Sequence, residues 1–185
     1  TIPKDDMAKA FASLKAMLSE RRIIGSAAKI KGSYCCVCFT EAPLPLIPGG
    51  LENPARYSHY APLGLIFDKS WIFERGGRPV IYQSEDEYGT LPASQQWRHV
   101  RYEPNGKPPI DFTWEREWRL LCPDLRFSPN EVGVVVPDTK FAEFIMEQHD
   151  LEQDYLVEMY SMAIGHDIAS LYRKDFPWRL MPMKA

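Results

Sequence analysis

The segment Thr113–Leu121 has the sequence Thr-Trp-Glu-Arg-Glu-Trp-Arg-Leu-Leu, which combines acids, bases and bulky residues that could support chemistry. Alternation with a period of two is typical of a β-strand with two different faces. On such a strand Glu115, Glu117 and Arg119 point to one face. The opposite face carries bulky side chains and one arginine: Trp114, Arg116, Trp118 and Leu120. The polar face is therefore either a solvated edge or the wall of a polar site.

Other polar residues lie within, or at the ends of, further predicted strands. These residues, together with one aromatic, are Thr40, Glu41, Ser58, His59, Tyr60 and Phe67. If the strands are neighbours, these side chains converge with Glu115, Arg116 and Glu117 on one cleft. Such a cleft can hold a nucleotide, because an acid stabilises an oxocarbenium-like sugar and an aromatic ring stacks on a base. The alternative is that Glu115 and Glu117 form surface ion pairs with arginines on a neighbouring strand.

Composition points to an ordinary globular protein. The chain has 185 residues, of which 45% are hydrophobic and 25% charged, and we expect one domain spanning residues 1–185. The net charge of −3 gives no general attraction to nucleic acid or anionic membranes, although it leaves room for a local basic patch. No apolar run approaches the roughly 18 residues of a membrane-spanning helix, and no signal peptide is recognisable. We therefore expect a cytoplasmic protein that does not enter a membrane.

The cysteines and histidines do not have the spacing of a metal site. Three of the four cysteines fall in Cys35–Cys38, far from Cys122, whereas a zinc site needs two close pairs. We expect reduced, buried cysteines, which fits a reducing compartment. The four histidines are scattered, so we expect no metal. A hydrolase that uses Cys38 as nucleophile and His59 as base is an alternative hypothesis.

Short strands and separate helices without strict alternation predict an α+β fold with small mixed or antiparallel sheets that form a cleft. Asp5 or Asp6 can begin a helix that ends near Arg21, Asp68 can begin one that ends at Glu74, and Asp138 can begin a third. The residues between Thr40 and about Tyr57 contain four prolines and two glycines and are expected to form a loop. Strands are predicted at 34–39, 78–82, 113–121, 132–136 and 155–162. Residues 59–67 are expected to form a turn that leads into a buried strand, and residues 97–102 either a strand or the end of a helix.

Three sequence blocks resemble a large uncharacterised bacterial family. Residues 56–68 resemble its S-H-Y-A block followed by G-[VIL]-x-[FI]-[DE], and residues 114–119 resemble its W-x-x-E-W-R block. Residues 38–44, Cys-Phe-Thr-Glu-Ala-Pro-Leu, resemble the C-F-T-E-x-P-L block of the AbiGi-type branch. That branch is associated with abortive phage resistance and toxin–antitoxin systems. The three blocks occur in the family's order and span roughly residues 35–121.

The block order is also similar, more distantly, to ADP-ribosyltransferases of the DarT type, which modify nucleic acid with NAD. This resemblance implies two small sheets that form a cleft for NAD, with Glu117 as the catalytic acid. It implies that the NAD pocket is lined by residues of the three blocks: Thr40, Glu41, His59, Tyr60, Phe67 and Glu115. Such enzymes also carry an early arginine or histidine, for which Arg21, Arg22 and Arg56 are all candidates.

Two function hypotheses follow. The first is an NAD-dependent ADP-ribosyltransferase that acts on nucleic acid or protein in bacterial phage defence or a toxin–antitoxin system. The second is a non-catalytic, antitoxin-like or regulatory module that binds a cognate toxin or antitoxin. The first predicts that Glu117 lies within about 10 Å of His59 and Tyr60 across a concave pocket, because a catalytic acid must reach its substrate.

Overall fold

The computed structural model describes residues 4–43 and 61–184, with side chains from residue 7 onward. In these ranges short strands are mixed with helices, so the predicted α+β class is confirmed. The helices are α1 (Lys4–Glu20), α2 (Lys69–Glu74), α3 (Thr139–Ile164) and α4 (His166–Ser170). The strands are β1 (Arg22–Ile24), β2 (Cys36–Thr40), β3 (Gly64–Phe67), β4 (Arg78–Pro79), β5 (Ile81–Gln83), β6 (His99–Arg101), β7 (Glu117–Leu121), β8 (Asp124–Arg126), β9 (Val132–Val136) and β10 (Arg179–Pro182).

The described strands form two three-stranded sheets and two strand pairs. In the first sheet β9 lies between β10, which is parallel to it, and β3, which is antiparallel. In the second, β7 lies between β2 and β4 and is antiparallel to both. The pairs are β1 with β8, antiparallel, and β5 with β6, parallel. These sheets are small and of mixed direction, as predicted.

Two hydrophobic clusters hold the sheets to the helices. All five residues of β9 are buried, and Val134 and Val136 pack with Leu14 of α1 and Ile145 of α3. β-branched side chains suit this position because they pack well on a pleated surface. In the second cluster, Val37 and Leu120 of the second sheet pack with Ile72 of α2 and Leu125 of β8. The aspartate cap predicted for α2 is present, because Ser70 N donates to Asp68 Oδ1 at 2.7 Å.

The prediction of one strand over residues 113–121 is wrong in its first half. Thr113–Glu115 forms a 3₁₀ turn, Arg116 adopts a left-handed conformation with φ 47°, and the strand begins only at Glu117. The cause is local, since the backbone N–H and the hydroxyl of Thr113 both donate to Asp111 Oδ1, at 2.9 and 2.6 Å. Such side-chain bonds compete with strand formation. Glu115 therefore does not share a strand face with Glu117.

The predicted strand over residues 155–162 is also wrong, because these residues belong to the 26-residue helix α3. The helix starts at the predicted cap, where Phe141 N donates to Asp138 Oδ1 at 2.9 Å. Aromatic and branched residues favour strands, but burial of Gln153 and Val157 on one helical face overrides that preference. Of the helices in the described ranges, α3 included, none is both long and apolar enough to cross a membrane.

The predicted strand over residues 78–82 divides into two short strands of different sheets. β4 pairs with β7, whereas β5 pairs with β6. At the junction, Val80 N donates to Glu117 O at 3.1 Å. This division brings the β5–β6 pair next to β7, the strand that carries the central polar residues.

Candidate functional site

A cavity of about 550 Å³ lies between β2 and β3, each of which is an outer strand of its three-stranded sheet. This volume falls within the usual range for small-molecule sites, about 300–1,000 Å³. Five predicted site residues line the cavity: Thr40, Glu41, Phe67, Glu115 and Glu117. The other two, His59 and Tyr60, lie outside the described residues, as does Arg56. The predicted convergence of the first and last blocks on one cavity is therefore present in the fold.

Glu117 forms a bidentate ion pair with Arg119 of its own strand, largely away from solvent. Arg119 Nε lies 2.8 Å from Glu117 Oε1, and Arg119 Nη2 lies 3.1 Å from Glu117 Oε2. The Glu117 side chain is only 13% exposed and the Arg119 side chain only 6%. Arg119 Nη1 also donates to the carbonyl oxygens of Trp97 and His99, at 2.9 and 3.0 Å. The guanidinium thus joins β7 to the segment that contains β6.

The surface-ion-pair alternative is wrong for Glu117, whose partner lies on its own strand and away from solvent. Part of the Glu117 carboxylate stays available to a ligand. An ionised carboxylate offers about four acceptor positions. Arg119 occupies two of them, and the Cys38 thiol lies close enough to compete for another. At least one acceptor position remains for a group in the cavity.

Cys38 lies beside Glu117 and is not an activated nucleophile. Cys38 is exposed and lines the cavity, so the prediction of a buried cysteine is wrong for this residue. Desolvation by the surrounding protein, followed by the charge of Glu117, still raises the pKa of Cys38 to about 12. The thiol is therefore protonated at neutral pH, whereas a nucleophilic cysteine needs its thiolate. This counts against the hydrolase hypothesis. The buried Cys36 on the same face has its pKa raised to about 11, mainly by burial.

Glu41 forms a second fixed carboxylate, at the side of the cavity. Trp118 Nε1 donates to Glu41 Oε2 at 2.8 Å, and Lys69 Nζ lies 2.5 Å from Glu41 Oε1. Arg116 Nη2 is more distant from the same oxygen, at 3.7 Å. The hydrogen bond from Lys69, followed by that from Trp118, lowers the pKa of Glu41. Lys69 also lies over the Trp118 ring, 5.0 Å from its centroid.

Thr40 and Glu115 are joined through the backbone. Thr40 lies directly opposite Glu117 in the β2–β7 register, and its hydroxyl donates to the carbonyl oxygen of Glu115 at 2.5 Å. The same hydroxyl accepts a hydrogen bond from Ala42 N at 3.1 Å. Thr40 therefore fixes the turn that carries Glu115 to the cavity wall. This contact explains why Glu115 belongs to the site although it does not share a strand face with Glu117.

Phe67 contributes a wall rather than a free stacking surface. Its ring packs against those of Phe39, Trp71 and Phe127, with centroids 5.8, 5.2 and 5.5 Å away. The predicted contact with a bound ring is thus limited to the part of Phe67 that remains open to the cavity. Its main role is structural, since it joins β3 to α2 and to the start of the β9 segment.

Two contributors to the site, Lys69 and Trp118, were not predicted from the sequence, and both line the cavity. Arg116, which was predicted with Glu115 and Glu117, pairs with Glu41. Trp118 was predicted on the opposite face of the strand from Glu117, yet both residues line the cavity. No sequence signal singled out Lys69, which is an ordinary first residue of a helix. Neither Arg21 nor Arg22 is among the described residues that line the cavity.

In the described ranges, histidine, cysteine, aspartate and glutamate do not form a group of three or more that could hold a metal ion. Comparison with known proteins finds no matching family model, curated protein or solved structure. The chemistry of the site is therefore argued from its own geometry.

Proposed function

We propose that this protein is a bacterial, cytoplasmic, ADP-ribosyltransferase-like enzyme that uses NAD as a substrate. Its acceptor is nucleic acid or protein, and its setting is phage defence or a toxin–antitoxin system, as the AbiGi-type and DarT-type resemblances imply. The supporting observation is that residues from separate sequence blocks line one cavity between the outer strands of two small sheets: Thr40, Glu41, Phe67, Glu115 and Glu117.

Several features of the cavity support the proposal that it binds a nucleotide. Its volume of about 550 Å³ suits a small molecule, and Phe39 and Trp118 provide aromatic wall. Lys69 and Arg116 flank Glu41, where they can compensate the negative charge of a diphosphate. The remaining acceptor position on Glu117 is directed by two hydrogen bonds from Arg119, so the carboxylate is already oriented.

Glu117 provides the electrostatic step of the proposed reaction. Its carboxylate accepts a hydrogen bond from a ribose hydroxyl and stabilises the positive charge that develops on the ring. The bond between the anomeric carbon and the nicotinamide nitrogen breaks, and nicotinamide leaves as a neutral molecule with the bonding electrons. An oxygen or nitrogen of the acceptor then bonds to the same carbon and loses its proton. A fixed carboxylate favours this step because it needs no reorganisation as the charge appears.

The test is transfer of label from NAD that is labelled in its ADP-ribose part. We expect wild type to label nucleic acid or a lysate protein, and Glu117→Gln to lower the rate by about 100-fold or more. Glu103→Gln is the matched control, because Glu103 pairs with Arg101 and is not part of the cavity. Lys69→Ala is a second cavity variant, and we expect it to weaken NAD binding measured by calorimetry.

Thermal melting of each variant separates a loss of activity from a loss of folding. If folded wild type neither binds NAD nor transfers label to any acceptor, the proposal fails. It also fails if folded Glu117→Gln transfers label as fast as wild type.

One observation favours the second candidate, a non-catalytic binding module. The carboxylate of Glu117 is already engaged by Arg119 and Cys38, as expected for a residue whose main role is structural. This candidate predicts a stable complex with a cognate toxin or antitoxin and no NAD affinity. A calorimetric titration that shows saturable NAD binding to wild type, lost in Lys69→Ala, contradicts it.

A further inference from the structure

The part of α3 from its middle to its C-terminal end carries an exposed apolar surface, which we call the arm stripe. It consists of Leu151, Tyr155, Met159 and Met162, whose exposed fractions are 62%, 62%, 42% and 84%. Successive members are four, four and three residues apart, so they lie along one face of the helix. Isolated exposed apolar residues need no explanation, but a contiguous row of four is typical of an interaction site.

The opposite face of α3 already has its partners. Val157 and Gln153 are buried, and Gln153 Oε1 accepts a hydrogen bond from Lys174 N at 3.0 Å. Tyr160 packs against Tyr172, with ring centroids 5.8 Å apart. These contacts fix the rotation of α3, so the arm stripe faces away from the elements that hold the helix.

Charge distinguishes between the possible occupants of the arm stripe. The helix carries six carboxylates and one lysine. Three of the acids have cations nearby, since Glu152 pairs with Lys15 while Asp150 and Asp154 pair with Arg173.

Glu147 and Glu158 form no ion pair or hydrogen bond with another described residue. Glu147 lies four residues before Leu151, and Glu158 lies four residues before Met162. Residues four apart are neighbours on a helix, so both acids border the arm stripe. The surface is therefore apolar along its centre and negative along its side.

A second copy of this chain does not suit such a surface, because like charges would be placed together. Anionic lipid and nucleic acid are repelled for the same reason. We propose that the arm stripe binds a basic amphipathic α-helix of another protein. Its apolar residues pack on Leu151, Tyr155 and Met162, and its lysines or arginines pair with the bordering glutamates. Methionine side chains adapt readily to different partners, which suits this role. The inference does not depend on the function of the cavity.

The test uses two labelled helical peptides of about three heptads, with leucine at the core positions and either lysine or glutamate at the flanking positions. Fluorescence anisotropy measures their binding to the full chain. We expect the lysine peptide to bind and the glutamate peptide not to bind. The double variant Leu151→Ser/Met162→Ser should weaken binding by about tenfold or more. Leu171→Ser is the matched control, since Leu171 is 81% exposed but lies beyond α4.

A charge swap provides the second arm of the experiment. In Glu147→Lys/Glu158→Lys the preference should reverse, so that the glutamate peptide binds more tightly than the lysine peptide. The inference is overturned if the lysine peptide does not bind wild type. It is also overturned if Leu151→Ser/Met162→Ser binds this peptide as tightly as Leu171→Ser does. It is also overturned if sedimentation shows a dimer that Leu151→Ser/Met162→Ser abolishes, because the occupant is then a second copy.

Discussion

Strand β7, which contributes the floor of the cavity, and the C-terminal part of α3 carry the same kinds of residue in opposite surroundings. Both place a carboxylate beside large apolar or aromatic side chains. In the floor, the Glu117 side chain is only 13% exposed and its charge is balanced by Arg119, which also donates to two carbonyl groups of another segment. On α3, Glu147 and Glu158 have no described partner and border exposed apolar residues. The role of a carboxylate here is set by the neighbours that the fold provides, not by its local sequence.

The difference also determines how each region responds to substitution. A buried ion pair that loses one member leaves an uncompensated charge away from water, whereas an exposed charge keeps its hydration. The floor should therefore be sensitive to single changes that affect stability. Single changes on the α3 surface should leave the stability of the protein almost unchanged and alter its binding to a partner instead.

The largest effect is expected for Arg119→Met. This change leaves Glu117 unpaired and removes the donors to the Trp97 and His99 carbonyl groups, at a cost of about 3–5 kcal/mol in the free energy of unfolding. Arg126→Met is the control, because Arg126 is 72% exposed and its ion pair with Asp124 should contribute less than about 1 kcal/mol. Urea unfolding measures both. Equal losses in the two variants would remove the distinction between a buried and an exposed pair.

The next effect compares two sides of α3. Ile145→Ala should lower the free energy of unfolding by about 2–4 kcal/mol, because Ile145 is 7% exposed and packs in the cluster with β9. Met162→Ala should change it by less than about 0.5 kcal/mol, since Met162 is 84% exposed. The same unfolding experiment gives both values. A large loss in Met162→Ala would mean that the arm stripe is part of the core rather than a free surface.

A smaller effect is expected at Arg116, which joins the turn to the floor strand in a left-handed conformation with φ 47°. Arg116→Gly and Arg116→Ala both remove the guanidinium near Glu41, but only glycine adopts this conformation without strain. Arg116→Gly should therefore be more stable than Arg116→Ala by about 1 kcal/mol. Thermal melting of the two variants measures the difference. Equal melting temperatures would show that the turn is not strained.

Elements with strong local signals were predictable from sequence. The capped helix α2 and the β-branched strand β9 appear with the predicted bounds, because capping and burial favour the same structure there. The segment 113–121 was predicted only in part, since the Asp111 side chain favours a turn that alternation does not reveal. The strand predicted at 155–162 failed because its apolar residues are also compatible with a helix that packs on one side.

The candidate site, like the fold, was predictable from the sequence only in part. That the sequence blocks meet on one cavity was expected from their positions near strand ends. The engagement of Glu117 by Arg119 was not predicted, because residues two apart on a strand share a face but need not pair. Lys69 and Trp118 were missed because their place at the site depends on how the two sheets meet, and no local pattern records that arrangement.

The smallest effect concerns Glu131, a carboxylate whose surroundings lie between those of the two regions. It accepts hydrogen bonds from the hydroxyl and the N–H of Ser128 and from Trp71 Nε1, and together with the nearby Arg75 these lower the pKa of Glu131 to about 2. A carboxylate with a lowered pKa stabilises the folded protein at pH values above the pKa of a glutamate in the unfolded chain, about 4.3. This contribution is lost as the pH falls towards 2. Glu131→Gln should therefore melt at a lower temperature than wild type at pH 7, and the difference should shrink between pH 4.5 and pH 2. Glu143→Gln, on the exposed start of α3, is the control for the loss of a surface carboxylate. A constant difference across this range would mean that Glu131 acts through its shape and not through its charge.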